Sequence, residues 1–202
     1  MGSGPFEEGP PPSEERQLLI DSFTRLAAES GYDETTGEQA AISAGLAPEA
    51  FYRHFPDELR CLVAAHGSFC ARLFACVEEA AAEESEWPAR VRRAVAAALE
   101  WLREMESRAR LFFVEALALG PPIVERGVAE IDRAAEYLRE GRRYFPAAAV
   151  LPEATEALLL GGAVGVVTSY LLAERASLLP SLADELSDLL LFPYLTVETE
   201  PG

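Results

Sequence analysis

Residues 35–55, TTGEQAAISAGLAPEAFYRHF, constrain the fold of this chain more tightly than any other stretch. Thr35, followed three residues later by Glu38, has the spacing of a capping box, in which side chains and backbone at a helix start satisfy each other. Ala40, Ala41 and Ala44 then share one helical face. Gly45 follows the last periodic residue, where a left-handed backbone ends a helix without a Cβ clash. Leu46 plugs the corner. Pro48 falls in the first turn of a second helix, which tolerates its fixed φ and missing N–H. Phe51 and Phe55, four apart, share the inward face of that helix. Glu49, Ala50, Tyr52, Arg53 and His54 are left to project outward. A small-residue helix, a glycine corner and a short aromatic helix make a helix-turn-helix signature.

The rest of the chain is punctuated the same way. Ser13 after Pro12, with Glu14 and Glu15 in the first turn, starts a helix whose apolar stripe is Leu19, Phe23, Leu26 and Ala27, ended by Gly31. Pro56-Asp57 opens a long helix to about residue 83, with Leu62, Ala65, Phe69, Leu73 and Val77 on one face. Trp87-Pro88 begins the next, with Val91, Val95, Leu99, Leu102 and Met105 on one side. A helix over 107–118 is broken at Gly120-Pro121-Pro122, and an amphipathic helix over 122–140 is ended by Gly141. Residues 142–151 read as a loop. Pro152 opens a mostly apolar helix to Arg175, and Pro180 or Ser181 opens the last, to about Phe192. No period-two alternation appears, so the fold class is all-α.

The stretch at 35–55 resembles the N-terminal domain of the TetR family, the tetracycline-repressor-like regulators. Thr36, Ala41, Ala44, Gly45, Phe51, Tyr52, His54 and Phe55 match that family's pattern, residues 18–36 resemble its first helix, and residues 61–69 resemble the start of its fourth. The match covers the first third of the chain. The resemblance implies about nine helices. They are divided between a three-helix helix-turn-helix domain at 13–60 and an effector-binding and dimerisation domain at 61–202, while the acidic, Pro/Gly-rich composition of the start predicts a disordered tail at 1–12. It implies a surface facing operator DNA made of Thr36, Ala47, Pro48, Glu49, Ala50, Tyr52, Arg53 and His54, with Tyr52 and His54 on phosphates. It also implies an effector pocket, for which His66, Phe69, Trp101, Met105, Phe112, Phe113, Tyr137 and Tyr170 are the candidates. Each of these, taken singly, also reads as ordinary core. Family members dimerise through two C-terminal helices, here the helices at 152–175 and 181–192. The uncharged run Ala157–Ala173, with Gly161 and Gly165 four apart, suits close helix approach better than a membrane span, being short, broken by glycines and bordered by acids.

Charge opposes the simplest version of this function. The chain carries a net charge of −17. Residues 1–60 hold twelve acids against four arginines, a net of −8, so the acidity reaches the helix-turn-helix itself. Lys and Asn are absent and all 17 basic residues are Arg, the mark of GC-rich coding, so missing Lys is not itself a functional statement. Ala47 stands where the family often has an N-cap Ser, a loss of about 1 kcal/mol. Glu49 favours the free helix N-terminus, but that terminus is where a phosphate would sit. Ala50 lacks the hydroxyl often supplied there, and Glu58 reverses the family's Lys.

Two functions follow from these residues. One is a dimeric regulator that binds operator DNA and responds to a small-molecule effector. The other is a protein of the same fold whose acidic recognition surface has lost DNA and serves as a ligand sensor or protein-interaction module. No phosphate loop, HExxH or GxSxG is present, so the sequence predicts neither an enzyme nor a cofactor. His66 and Cys70, four apart, share a face but lack further ligands at matching spacing, which favours a buried pair over a metal site. An odd count of three cysteines fits a reducing cytoplasm, and the acidic, Pro/Gly-rich start predicts no signal peptide.

Overall fold

The computed structural model describes residues 14–196, and among them every regular element is helical. The expected tail at 1–12 and the Ser13 helix start lie outside the described residues. Ten α-helices occur among the described residues; setting aside one four-residue turn leaves nine. The chain divides into two compact units, Met1–Ala65 and His66–Gly202.

The first unit holds α1 (Glu14–Ser30), α2 (Gly37–Ser43), α3 (Ala50–His54) and the opening of α4 (Glu58–Ala81). Its core is Leu19, Ile20, Phe23 and Ala27 of α1, Ala40 and Ala41 of α2, Phe51 and Phe55 around α3, and Cys61 and Leu62 of α4. Phe51 sits between Phe23 and Phe55, with ring centroids 6.0 and 5.4 Å away. The capping box exists, one residue later than the sequence spacing suggests. Thr36 accepts from the Gln39 N–H at 3.2 Å, and the Gln39 side chain accepts from the Thr36 N–H at 2.9 Å. Thr35 is buried and its hydroxyl donates to the Gly31 carbonyl, which removes it from the cap. Gly45 adopts φ +75° at the corner, as a residue without Cβ can. Pro48 lies in a turn closed by the Ala50 N–H on the Ala47 carbonyl, so α3 starts two residues after it.

The second unit continues α4 and adds α5 (Trp87–Glu104), α6 (Glu106–Arg110), α7 (Pro121–Arg139), α8 (Gly141–Tyr144), α9 (Thr155–Leu172) and α10 (Ala183–Thr196). The helix expected over 107–118 is α6 prolonged by a π-helical turn, Leu111–Glu115, and a 3₁₀ turn, Ala116–Leu119. The expected loop at 142–151 contains α8 and a 3₁₀ turn, Pro146–Val150. A 3₁₀ segment, Ala176–Leu182, precedes α10, which runs past Phe192 and through Pro193.

One core of this unit gathers Trp87, Leu138, Ala148, Leu190, Leu191 and Tyr194. Its polar centre is Glu156, 0% exposed, which Arg142 holds through Nε at 2.7 Å and Nη2 at 2.9 Å. The Tyr194 hydroxyl lies 2.8 Å from the same carboxylate and 2.9 Å from the Leu138 carbonyl. Burial alone would raise the Glu156 carboxyl; the Arg142 and Tyr194 hydrogen bonds overcome it and hold the group below its ordinary value. Arg142 also donates to the Leu151 and Pro152 carbonyls, tying the segment before α9 to α8.

Candidate functional site

On α3, Tyr52 and Arg53 are exposed and His54 is half-buried. Thr36, Ala47, Pro48 and Glu49 are exposed beside them. Ala50, expected to face outward, is 1% exposed. It is buried with Phe51 at the start of α3, so it presents nothing to a ligand.

The exposed polar groups of α3 are already partnered inside the unit. Arg53 donates to Glu15 Oε1 at 2.6 Å, and His54 Nε2 lies 3.4 Å from Glu15 Oε2. Arg53 first, then His54, hold the Glu15 carboxyl below its ordinary value. Tyr52 donates its hydroxyl to Glu58 Oε1 at 3.1 Å, and the same oxygen accepts the Gly37 N–H at 3.0 Å. Glu58 is therefore an acceptor that closes the first turn of α2 and anchors Tyr52. Glu49 differs from it: as the residue before α3 it makes no capping hydrogen bond. Of the other arginines in this unit, Arg25 pairs with Glu29 and Ser43, and Arg16 lies 4.7 Å over the Phe55 ring. Sequence reasoning missed Glu15, because its nearer partner, Arg53, is 38 residues away and no local pattern marks it.

In the second unit the expected pocket residues separate into one cluster and three outliers. Phe69 packs on Trp101 at 4.8 Å, Phe112 at 4.9 Å and Phe113 at 6.4 Å, and His66 meets Phe112 edge-on at 5.4 Å. Met105 is half-buried at the α5–α6 junction, Tyr137 hydrogen-bonds Glu78, and Tyr170 is half-buried on α9. Burial, then the Arg126 charge, push the His66 imidazole down to about 4. Its Nδ1 lies 3.8 Å from Cys70 Sγ, and burial pushes that thiol up to about 12. A neutral imidazole beside a protonated thiol is a core pair. No group of three or more His, Cys, Asp or Glu suited to a metal occurs among the described residues.

Beside that pair α7 brings up charge that the sequence shows only as an ordinary i,i+4 pattern. Arg126 Nη2 lies 2.5 Å from Glu130 Oε1, and Arg133 Nη1 lies 3.9 Å from Glu130 Oε2. A Cβ at position 67 would fall 2.6 Å from Arg126 Nη2, so Gly67 is what lets this guanidinium lie against α4. Arg103 and Arg110 are engaged elsewhere: Arg103 pairs with Glu100, and Arg110 donates to the Leu171 carbonyl near the end of α9 at 2.8 Å.

A second surface lies on α9 and α10. Leu158, Gly162, Gly165, Ser169 and Leu172 are exposed at helical spacing along α9, with Leu158 73% exposed. Gly162 and Gly165 are exposed and Gly161 is half-buried, and no atom lies within 4 Å of a Cβ built on any of the three. On α10, Leu189, Phe192 and Leu195 are exposed. Helices α4 and α9 are each long and apolar enough, by length and composition, to cross a membrane. The buried positions of α9 pack on α7 and α10.

No family model and no curated protein matches the sequence. Solved structures do. The fatty acid degradation regulator FadR of Bacillus halodurans matches with a TM-score of 0.75 at 20% identity, over 92% of this chain and 97% of that one. The Bacillus subtilis transcriptional regulator FadR, solved in complex with stearoyl-CoA, matches with a TM-score of 0.70 at 18% identity, over 86% and 96%. A Rhodococcus sp. protein assigned to the TetR-family regulators gives 0.70 at 19% identity, over 93% and 100%. At such identities the likeness is one of architecture, and it spans both units: the chain has the fold of the TetR-family transcriptional regulators.

Proposed function

We propose that the chain is a cytoplasmic, dimeric transcriptional regulator, not an enzyme. Residues 13–60 approach operator DNA through α2 and α3, and residues 61–202 take a small-molecule effector and the second copy. The observation that carries this is the helix-turn-helix: a capped α2, a left-handed Gly45 corner, and an α3 that exposes Tyr52 and Arg53 over a closed aromatic core. The α9–α10 stripe supports the dimer, because an apolar face of small and large residues, next to helix faces that pack inward, suits another helix better than lipid. Effector binding changes affinity for DNA.

One observation favours the alternative, an acidic module that has given up DNA. A phosphate approaching α3 meets Arg53 and His54 already held by Glu15, Tyr52 already held by Glu58, and an exposed Glu49. DNA must break those pairs before it gains from them. Titration of the full chain with DNA from its own upstream region, at low and moderate salt, separates the two. Sequence-selective binding that weakens with salt supports the regulator. Absence of binding even at low salt rejects it and leaves the sensor. Adding stearoyl-CoA to a DNA-bound sample is the first effector trial, since a protein of this fold was solved with it.

A further inference from the structure

We infer that Glu15 is an internal competitor for DNA phosphate: its carboxylate fills the place on α3 that a phosphodiester would take, and so sets how tightly the chain holds DNA. The inference rests on the regulator reading above and deepens it, since Glu15 lies on α1, outside the surface that the helix-turn-helix pattern marks. Arg53 and His54 are the only basic residues of α2 and α3. Glu15 gives one oxygen to each: Oε1 accepts from Arg53 Nη2 at 2.6 Å, and Oε2 lies 3.4 Å from His54 Nε2. A phosphate on α3 would divide its oxygens between the same two side chains.

The contact is built for exchange. The side chains of Arg53 and Glu15 are 66% and 35% exposed, so a phosphate meets the guanidinium directly from solvent. One anion then replaces another on the same cation. The displaced carboxylate is not stranded, because it sits in the first turn of α1, where a helix N-terminus favours negative charge. Tyr52 differs: its partner Glu58 also accepts the Gly37 N–H, so that contact is part of how α2 starts. While Glu15 stays in place, the Arg53 charge is cancelled before DNA arrives, and the attraction of α3 for phosphate with it. Ion pairs this exposed are individually weak, so Glu15 lowers affinity by a limited factor and does not abolish it.

The test is a titration of the full chain, as parent, Glu15→Gln and Glu14→Gln, with duplex DNA from its own upstream region and with inorganic polyphosphate, at about 50 mM salt. Gln keeps the shape and removes the charge, and Glu14, exposed in the same turn, controls for net charge. Glu15→Gln is expected to tighten both polyanions about two- to five-fold per subunit, hence about four- to twenty-five-fold where both subunits of a dimer engage one duplex. Glu14→Gln is expected to change them by less than about two-fold. With Arg53→Gln also present, the Glu15→Gln gain should shrink to the size of the Glu14 effect. Should Glu15→Gln not fold, Glu15→Ala, which deletes the acceptor, is expected to move affinity the same way. A Glu15 effect no larger than the Glu14 effect, a loss of affinity, or a gain that persists without Arg53 overturns the inference. If the parent binds upstream DNA selectively and Glu15→Gln gains nothing, the regulator stands and this inference falls. If the parent shows no selective DNA binding at any salt while Glu15→Gln tightens on polyphosphate through Arg53, the inference stands and the regulator falls. If no variant binds either polyanion at about 20 mM salt, both fall.

Discussion

Glu49 and Glu58 bring the same charge to the same surface, and at the level of single residues they do opposite things. Glu58 accepts two hydrogen bonds, from the Gly37 N–H and the Tyr52 hydroxyl, so its carboxylate is part of how α2 starts. Replacing it by Lys removes both and is expected to destabilise the chain by about 1–2 kcal/mol in a urea titration. Any effect of that variant on DNA is then mixed with damage to the packing of α2 against α3. Glu49 is exposed and makes no capping bond. Glu49→Lys is expected to leave unfolding within about 0.5 kcal/mol of the parent. It should raise DNA affinity and steepen the salt dependence by about one ion per subunit. Unchanged affinity with an intact fold would mean that position 49 does not face phosphate. His66 makes a different prediction, about pH. Its folded value, about 4, lies below the ordinary 6.5, so the unfolded chain takes up the proton first and stability falls as pH drops through that window. The loss amounts to about 3 kcal/mol. In His66→Gln that part of the slope should vanish. Parallel stability curves for the two proteins between about pH 7 and pH 4 would rule it out.

Among the elements, α8 shows how a local signal and a distant cause are confused. Gly141 reads in the sequence as a helix stop, yet it opens α8, and its lack of a side chain serves packing. A Cβ there would fall 2.4 Å from the Trp87 ring and 2.8 Å from the Tyr194 ring, both buried. Neither ring is a flexible end that swings aside. Gly141→Ala is expected to cost about 1–3 kcal/mol despite the higher helix propensity of Ala, measured by thermal unfolding. An increase in stability would show the rings can give way. The same distinction separates what the sequence made legible from what it hid. Gly45 and the Gly120-Pro121 break were readable because their cause is the φ or N–H of the residue itself. The capping register was off by one because Thr35 and Thr36 each have a suitable partner three residues on, and only the Thr35 bond to Gly31 decides between them. Glu15, Glu156 and the Arg126–Glu130 pair read as ordinary surface acids and ion pairs. Their burial or pairing is set by Arg53, by Tyr194 and by the opposing face of α4, all distant in sequence. The aromatic cluster was legible as a composition of rings, but not the exclusion of Tyr137 and Tyr170 from it.

For the whole molecule, charge and apolar surface make opposite demands on assembly. Two copies at −17 each repel one another at long range, and the proposed dimer would overcome this through the uncharged stripe of α9 and α10. Raising salt screens that repulsion, while it weakens any contact with phosphate. The dimer is therefore expected to tighten between about 50 mM and about 300 mM salt, over the range in which DNA binding loosens. Sedimentation equilibrium reads the first and a DNA titration the second. The face itself is tested by Gly162→Glu together with Phe192→Glu. The Cβ at 162 meets no atom within 4 Å and Phe192 is 63% exposed, so neither change disturbs the folded protomer. Buried between two copies, the same carboxylates would be unpaired, and dimerisation is expected to weaken at least about 100-fold while helical circular dichroism is retained. A parent chain that sediments as a monomer at both salt levels, or a double variant that stays dimeric, would place the interface somewhere other than α9 and α10. The exposed leucines and glycines of α9 would then need a different cover.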